Sequence, residues 1–271
     1  MEGHGANPDM TRLLTKLIDR GTLRTPAVAQ TMAAVDRGLF VPEILASTRR
    51  AYEDQPLPIG YGQTISAPHM HATALELLSA QLQPGARVLD VGSGSGYLTA
   101  CFGLMVSPGG KVLGVEVVPE LALRSKRSLR QVVPPLMDDG TIRIEAGNVL
   151  SGLLQTEAPF DAIHVGAAAE QLPPDLVAKL APGGRMVVPV GPHYATQVLT
   201  VVDKLAGPQA GAAAGHRGLA PHGPGEVAAP AAGWEGEGEL GPRDIRVTKL
   251  MDVGYVPLVP DTDRGMGGPE D

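Results

Sequence analysis

The sequence predicts an α/β fold built on a doubly wound, Rossmann-like sheet that is mostly parallel and carries helices on both faces. Three observations predict it. Short apolar strand patterns alternate with helical patterns between residues 87 and 190, as in a chain of βαβ units. A glycine loop, Gly92–Gly96, separates the first of these strands from its helix. Two later strand patterns have no helical pattern between them, so we expect a C-terminal antiparallel strand pair.

An N-terminal helical extension is predicted before the sheet. Apolar residues at helical spacing indicate a first helix over residues 10–20, with Asp9 as its N-cap. The pair Thr25-Pro26 is typical of an N-cap followed by proline at the first helical position. Residues 52–69 are rich in proline and glycine and are predicted to be irregular. A further helix is predicted from Met70 to Leu82.

The elements of the sheet follow in order. Strands are predicted over Arg87–Val91, Lys111–Val117, Thr141–Ala146, Phe160–Gly166 and Arg185–Val190, and the antiparallel pair over Gln197–Val202 and Ile245–Met251. Helices are predicted over Tyr97–Met105, Pro119–Gln131 and Pro173–Leu180, with a helix-compatible stretch before Phe160. His164 falls within a buried strand, where a core histidine with satisfied hydrogen bonds is expected.

The 271 residues include 35 glycines and 25 prolines, and many of them lie between the last two predicted strands. The stretch Ala206–Arg243 contains ten glycines, ten alanines and five prolines. Such a composition buries too little apolar surface to offset the entropy lost on ordering. We therefore predict a disordered insertion at a hairpin tip, where added residues cost little.

Charge and composition exclude several classes of protein. The net charge of −7 argues against a dedicated nucleic-acid binder, because such domains are usually basic. No run of about 18 apolar residues is present, so no membrane span is expected. The first residues lack the basic and apolar regions of a signal peptide. A single cysteine, Cys101, forms no intrachain disulfide and suits a reducing, cytoplasmic compartment; a small apolar helix residue is its simplest role.

The glycine loop is the sharpest motif in the chain. Its free N–H groups lie at a helix start, where they bind anionic or polar ligand groups. The spacing is Gly-x-Gly-x-Gly, and Tyr97 stands where the dinucleotide pattern has its last glycine, so the cradle for a pyrophosphate is incomplete. Asp90 directly precedes the loop, and its charge favours the cationic amino acid part of S-adenosylmethionine over a pyrophosphate.

An acidic residue, Glu116, ends the second predicted strand, twenty residues beyond Gly96. An acid at this place can accept hydrogen bonds from both hydroxyls of a ribose. Alone, it is as well explained as a solvated acid at a strand end. Together with the glycine loop and Asp90, it favours a nucleoside-type ligand.

The chain resembles the protein-L-isoaspartate (D-aspartate) O-methyltransferase family from about Leu13 to Leu258, interrupted by the insertion. The segment before the loop, Thr64–His71, is specific to that family, whereas the loop alone indicates only a class I methyltransferase. The matching stretches are Thr64–Ala72, Asp90–Gly96, Asp161–Ala167, Leu180–Arg185, Val190–Pro192 and Tyr255–Leu258.

The resemblance implies an enzyme (EC 2.1.1.77 type) that transfers the methyl group of S-adenosylmethionine to the carboxylate of an L-isoaspartyl residue in a damaged protein. S-adenosylhomocysteine is the other product, and the ester then closes to a succinimide, whose hydrolysis restores some aspartate. The fold expected is the methyltransferase form of the doubly wound sheet. Family roles carry over to three sets of positions: catalytic Ser66; cofactor-binding Gln63, Thr64, Ile65, Ser66, His71, Asp90, Gly92, Ser93, Gly94, Ser95, Gly96, Glu116, Val117, Asn148 and Val149; and substrate-binding Thr64, Ile65, Ser66 and Val259.

The residue types are compatible with this chemistry. A carboxylate with a pKa near 4 is already ionised at pH 7, so no strong general base is needed. Ser66 with the adjacent backbone N–H groups suits holding that carboxylate, although it also suits an N-cap before Pro68. His71 fits the pocket and a packed helix position equally well. Neither it nor His69 has cysteine or carboxylate neighbours at metal-ligand spacing, so no metal is predicted.

The chain departs from the family pattern at three places. Glu116 replaces the common aspartate, and its longer side chain still reaches a ribose. The pair Asn148-Val149 replaces Asp-Gly, so the side chain expected near the adenine amino group keeps an acceptor oxygen but loses its charge. We expect adenine binding to be retained and weakened. After Leu258 the sequence leaves the family pattern, which makes the role of Val259 the weakest of these inferences.

The resemblance also divides the chain. We expect one monomeric methyltransferase domain that acts on isoaspartyl peptides and proteins, with no nucleic-acid or membrane partner. The domain spans residues 1–260 and has two parts: a helical and substrate-binding region (1–82) and a cofactor-binding sheet (83–205 and 244–260). A disordered insertion (206–243) interrupts the sheet, and a flexible tail (261–271) follows the domain.

Alternative functions remain open at this point. The insertion, with Trp234 as a candidate anchor, and the changes at Asn148 and Val149 would suit a catalytically weak relative acting as an adaptor. A nicotinamide oxidoreductase uses the same kind of sheet, but Asp90 and the short glycine pattern argue against it. A small-molecule methyltransferase is disfavoured by the segment Thr64–His71.

Overall fold

The computed structural model describes residues 7–157, 159–192, 194–206 and 244–258. The tail predicted over 261–271, all of the predicted insertion except Ala206, and the predicted substrate residue Val259 lie outside these ranges. Within them, the strands are β1 (Leu57–Gly60), β2 (Gln63–Ile65), β3 (Arg87–Val91), β4 (Lys111–Glu116), β5 (Ile142–Ala146), β6 (Phe160–Val165), β7 (Leu180–Val190), β8 (Gln197–Lys204) and β9 (Ile245–Val253).

Six of the eight described helices begin with proline, whose fixed φ and missing N–H suit the first helical position. The helices are α1 (Pro8–Asp19), α2 (Pro26–Ala34), α3 (Glu43–Ala46), α4 (Pro68–Leu78), α5 (Tyr97–Val106), α6 (Pro119–Val132), α7 (Pro134–Asp138) and α8 (Pro174–Ala178). None of these described helices is both long and apolar enough to cross a membrane.

The main sheet has seven strands in the order β5-β4-β3-β6-β7-β8-β9. Strands β3 to β7 pair in parallel, and β8 pairs antiparallel with both β7 and β9. The predicted fold class, including its C-terminal antiparallel pair, is confirmed. The strand order reverses beside β3, which is the place where ligands bind doubly wound sheets.

Each face of the sheet buries its own apolar core. Alternate residues of β3 point to opposite faces, so Val88 belongs to one core and Leu89 to the other. The first core packs the sheet against α1, α2, α4, α5 and α6, and the second packs it against α8. Cys101 is fully buried in the first core, as predicted for a small apolar helix residue.

The N-terminal part contains more structure than predicted. Asn7 caps α1 by accepting from the Asp9 N–H, so the prediction of Asp9 as the N-cap was wrong. The stretch 52–69, predicted to be irregular, contains the antiparallel hairpin of β1 and β2. Thr25 does occupy the N-cap position of α2, but its hydroxyl donates to Glu76 instead of capping the helix.

Helix α4 lies earlier in the chain than predicted. It begins at Pro68 instead of Met70 and ends at Leu78 instead of Leu82. Its N-cap is Ala67, so the interpretation of Ser66 as an N-cap was wrong. Proline fits the first turn because the N–H groups there have no partner within the helix.

The other corrections concern the second half of the sheet. Strand β7 begins at Leu180 and runs through the predicted turn 182–184 before the predicted start at Arg185. The helix-compatible stretch before β6 is an irregular π-type turn over Val149–Leu153. Helix α7, which directly follows α6, was not predicted.

Candidate functional site

The glycine loop connects the end of β3 to α5 beneath the carboxyl edge of the sheet. The Gly92 and Ser93 N–H groups donate to the Val115 carbonyl at 2.8 and 3.1 Å, which ties the loop to β4. Gly96 caps α5 at a φ of 87°, a conformation that favours glycine, and a Cβ there would lie 3.1 Å from that of Ser125. The local geometry therefore requires glycine and places backbone N–H groups at the helix start.

A groove with a cavity volume of about 90 Å³ opens above this loop. Eight of the predicted site residues line it, namely Gln63, Thr64, Gly92, Gly94, Glu116, Val117, Asn148 and Val149. The structure therefore brings the hairpin, the loop and the ends of β4 and β5 together around one space.

Other lining residues were missed from the sequence. Val256, Pro257 and Leu258 form one wall of the groove, and Gly166 and Ala167 lie at the end of β6. Val91, Val115 and Gly147 complete the lining beside them. Position at the carboxyl end of a parallel strand was a signal for several of these residues. The C-terminal wall had no local signal beyond the Tyr255–Leu258 match.

Glu116 spans from the end of β4 to the loop. Its Oε2 accepts from the Gly94 N–H and its Oε1 from the Val118 N–H, each at 2.8 Å. The side chain is only 4% exposed. Burial raises the pKa of Glu116, and the backbone N–H groups partly oppose that shift. An ionised carboxylate has about four acceptor positions, so acceptor capacity remains beyond these bonds.

Asn148 lies across the groove after β5. Its Oδ1 accepts from the Leu150 N–H at 2.9 Å, and 8% of the residue is exposed. One of the two acceptor positions of the amide oxygen that was expected to face an adenine amino group is therefore used in capping the turn that follows. An aspartate at the same place would cap the turn with one oxygen and retain a second.

Asp90 does not line the groove. Its carboxylate lies 1% exposed below the loop, where Oδ2 accepts from the Thr99 hydroxyl at 2.6 Å and Oδ1 lies 2.8 Å from His164 Nδ1. Asp90 and His164 are direct partners in the parallel register of β3 and β6. The predicted role of His164 as a core histidine with a satisfied hydrogen bond is confirmed.

His71 is also packed beneath the site. Its ring stacks on Tyr97 with centroids 4.7 Å apart, and its Nδ1 lies 3.4 Å from Arg37 Nη1. Burial, and next the Arg37 guanidinium, hold the pKa of His71 well below its usual value. The ring is therefore neutral at pH 7 and acts as a support for the loop helix. His69, two residues earlier, points elsewhere and bonds Asp54.

The remaining predicted residues lie around the groove without lining it. Ser93 and Ser95 are buried in the loop, and Ile65 is buried at the end of the hairpin. Ser66 is half-buried directly after β2 and does not line the groove. Among the described residues, no group of three or more histidine, cysteine or acidic side chains is arranged to hold a metal.

The chain is similar to members of one enzyme family over most of its length. The family profile described as protein-L-isoaspartate(D-aspartate) O-methyltransferase matches residues 9–214. A protein-L-isoaspartate O-methyltransferase of Triticum aestivum is 51% identical over 195 residues, covering 72% of this chain and 82% of that protein. Protein-L-isoaspartate O-methyltransferase 1 of Arabidopsis thaliana is 47% identical, covering 71% and 81%.

The fold is also similar to that of a solved structure. It is a crystal structure from Plasmodium falciparum described as a protein-L-isoaspartate O-methyltransferase in complex with S-adenosyl-L-homocysteine. It superposes with a TM-score of 0.73 at 32% identity, covering 93% of this chain and 99% of that one.

Proposed function

The chain belongs to the protein-L-isoaspartate (D-aspartate) O-methyltransferase family, and from this premise we propose how its groove performs the family's reaction. The protein is an S-adenosylmethionine-dependent methyltransferase, and its substrate is the free carboxylate of L-isoaspartyl residues in damaged proteins. One observation carries the assignment of the site: the hairpin with Gln63 and Thr64 faces the glycine loop across the same groove that Glu116 and Asn148 line.

The residues of the groove fit S-adenosylmethionine. Glu116 keeps acceptor positions for ribose hydroxyls after its two backbone bonds. The buried Ser93 Oγ has no hydrogen-bond partner within the described residues, so a polar group can still be satisfied in the loop. A Cβ at Gly166 would lie 2.9 Å from the Gly92 carbonyl, so the absence of side chains keeps the two strand ends close below the ligand.

We assign the parts of the ligand to these residues. Glu116 binds the ribose, Asn148 and Val149 border the adenine, and the loop Gly92–Gly96 receives the amino acid part. When bound, S-adenosylmethionine supplies a methyl group on a positively charged sulfur. Asp90 acts through the loop that it supports, because both of its carboxylate oxygens are engaged below the groove.

The substrate carboxylate needs to be placed and not activated. Its pKa near 4 leaves it ionised at pH 7, so a general base adds nothing. The site contributes alignment with the sulfur–methyl bond and removal of water from the nucleophile. Ser66 donates a hydrogen bond to one carboxylate oxygen and leaves the other free to attack. Ile65 and Thr64 flank the peptide. The methyl ester then closes to a succinimide, which begins repair.

Methyl transfer to a synthetic isoaspartyl peptide, compared with its normal aspartyl twin, tests the function. We expect methylation of the isoaspartyl peptide alone. Ser66→Ala should reduce that methylation sharply while the affinity for S-adenosylhomocysteine stays nearly unchanged. Full activity in Ser66→Ala would overturn the role of Ser66. Cofactor binding by the wild-type protein without any turnover would favour the adaptor function instead.

We further propose that the protein works as a monomer in the cytoplasm. The single cysteine, Cys101, is fully buried in a helix, which suits a reducing compartment and leaves no exposed thiol among the described residues. Light scattering on the purified full-length chain measures the oligomeric state, and a dimer mass would contradict the proposal. Fractionation of cells that express the chain tests the compartment.

A further inference from the structure

We propose that the outer face of helix α6 selects protein substrates in which acidic residues lie close to the isoaspartyl residue. The groups that bind the acidic side chains are the guanidinium groups of Arg124 and Arg127. The inference rests on the proposed function, because it names the class of substrate that the same groove accepts.

Helix α6 carries an excess of positive charge in a protein whose net charge is −7. It contains four cationic side chains, Arg124, Lys126, Arg127 and Arg130, and one acidic side chain, Glu120. The ion pairs among the described residues include none of these four cations. Within the described part of the chain, the charge of this helix is therefore not neutralised by a carboxylate.

Helix α6 begins at the edge of the sheet where the groove opens. Its first residue, Pro119, follows two residues after Val117, which lines the groove. A Cβ at Gly96 would lie 3.1 Å from that of Ser125, so the second turn of the helix packs directly on the glycine loop. The positive charge of the helix therefore lies beside the groove.

Arg124 joins this helix to the hairpin of β1 and β2. Its Nη2 donates to the Ile59 carbonyl at 2.5 Å. Pro58, the residue before Ile59, pairs across the hairpin with Thr64, which lines the groove. Paired residues have Cα atoms about 5 Å apart, and an extended peptide advances about 3.3 Å per residue. An acidic residue two to four positions from an isoaspartyl group held at Thr64 can therefore reach Arg124.

Arg127 and Tyr61 extend the same surface. Arg127 is exposed one helical turn beyond Arg124, a spacing that places both side chains on one face. Burial lowers the pKa of Arg124, Tyr61 opposes that shift and the charge of Arg127 adds to it. A bound anion would relieve the repulsion between the two guanidinium groups. Tyr61, at the hairpin tip, is 59% exposed at a φ of 55°, a conformation that bulky residues rarely adopt outside binding and catalytic sites.

An acidic stretch of the substrate protein is the partner that this charge fits. The residues on either side of an isoaspartyl group extend out of the groove, so they pass over its rim. Nucleic acid fits less well, because the net charge of −7 repels a long polyanion. The surface therefore discriminates between isoaspartyl sites by the charge of their neighbours.

Three isoaspartyl peptides test the inference. They carry three glutamates, three glutamines or three lysines two to four positions from the isoaspartyl residue, in separate sets for its N-terminal and C-terminal sides. In one set the KM of the acidic peptide should be about three- to tenfold below that of the neutral peptide, because each exposed ion pair contributes up to about fivefold. The difference should shrink at high salt. Equal KM values in both sets would overturn the inference.

Charge reversal and charge retention at one position sharpen the test. Arg127→Glu should make the lysine peptide the better substrate, and Arg127→Lys should keep the preference for the glutamate peptide. Arg124→Gln should bring the ratio of the two KM values towards one. A merely structural role of Arg124 in holding the hairpin would raise both KM values by the same factor and leave the ratio unchanged. Unchanged ratios in Arg124→Gln and Arg127→Glu would overturn the proposal.

Arg246→Glu is the matched control. Arg246 is exposed near the start of β9, at the edge of the sheet opposite α6, and the substitution changes the net charge by the same amount. The ratio of KM values should stay at its wild-type value. A change equal to that in Arg127→Glu would show an effect of net charge alone and would overturn the role of α6.

Two further outcomes separate this inference from the function on which it rests. Turnover of all peptides with equal KM values would overturn the charge preference and leave the enzyme's activity established. Absence of turnover on every isoaspartyl peptide would overturn the function. Binding of the peptides to the complex with S-adenosylhomocysteine then decides the inference: tighter binding of the acidic peptide, lost in Arg127→Glu, supports it. Equal peptide binding, with a DNA oligonucleotide bound only by the wild type, would overturn it in favour of a nucleic-acid surface.

Discussion

Glu116→Gln should weaken cofactor binding without destabilising the unliganded protein. The carboxylate accepts backbone N–H bonds from Gly94 and Val118, one on each oxygen, and keeps acceptor positions for a ribose. A glutamine side chain has one amide oxygen with two acceptor positions, and its NH₂ group faces a backbone N–H. It can therefore satisfy at most one of the two backbone donors and at most one ribose hydroxyl.

The magnitude follows from the charge of the acceptor. Hydrogen bonds to charged groups contribute about 1.5–3 kcal/mol each. Loss of one such bond to the ribose and weakening of the other should lower the affinity for S-adenosylhomocysteine by about 2 kcal/mol, or about 30-fold. Stability without ligand should stay equal or rise. The raised pKa of Glu116 shows that burial of the charge outweighs the backbone bonds that stabilise it.

Isothermal titration with S-adenosylhomocysteine and urea unfolding of the unliganded protein measure the two quantities. Glu157→Gln is the control, because Glu157 pairs with Arg87 at 3.4 Å and does not line the groove. It should leave the affinity unchanged. Binding by Glu116→Gln within about threefold of the wild type would refute the reasoning about acceptor positions. A loss of more than about 2 kcal/mol in unliganded stability would refute the reasoning about burial.

Three other outcomes are expected. In the wild type, the affinity for S-adenosylhomocysteine should fall as the pH falls through the pKa of Glu116, which is raised above its ordinary value of 4.5. The stability that the protonated group contributes is lost as the pH rises through the same pKa. Titrations across that pH window should show the change of affinity with pH, and the same change in Glu116→Gln would contradict the assignment. Asn148→Asp supplies a second, charged acceptor beside the bond to Leu150 and should tighten binding by about 1 kcal/mol, or about fivefold; unchanged or weaker binding in a titration would count against it. Asp90→Asn replaces the charged acceptor of the His164 and Thr99 hydrogen bonds with a neutral amide and should cost about 1–3 kcal/mol of stability in urea unfolding. An unchanged midpoint would show that the charge of Asp90 contributes little to stability.

The parallel strands were predictable because both of their faces are buried. Such strands appear in the sequence as continuous apolar runs, and the change to helical spacing marks their ends. The hairpin of β1 and β2 was not predictable in this way. Its strands have only four and three residues, and Pro58, Gly60 and Gly62 gave the segment the composition of a loop. Pairing between the two strands, and not local preference, makes it a hairpin.

The candidate site also contains residues that were predictable from spacing along the chain and residues that depend on pairing with distant segments. Glu116 and the glycines follow strand ends, so spacing along the chain was enough to bring them to one edge of the sheet. The orientation of Asp90 was not available from spacing, since it depends on His164 lying opposite in the register of β3 and β6. The C-terminal wall was hidden for a related reason. Its position is fixed by hydrogen bonds to Ala168, a residue far away in the sequence.

That distant wall has a consequence for the order of events in folding. Contacts between residues far apart in the chain form late, because the intervening segments must be ordered first. Synthesis proceeds from the N-terminus, so Gln63 and the glycine loop emerge long before Val256 and Leu258, which complete the groove. A nascent chain should therefore be unable to bind its cofactor until its last strand has been released and has paired with β8. Ligand binding then stabilises only the finished molecule.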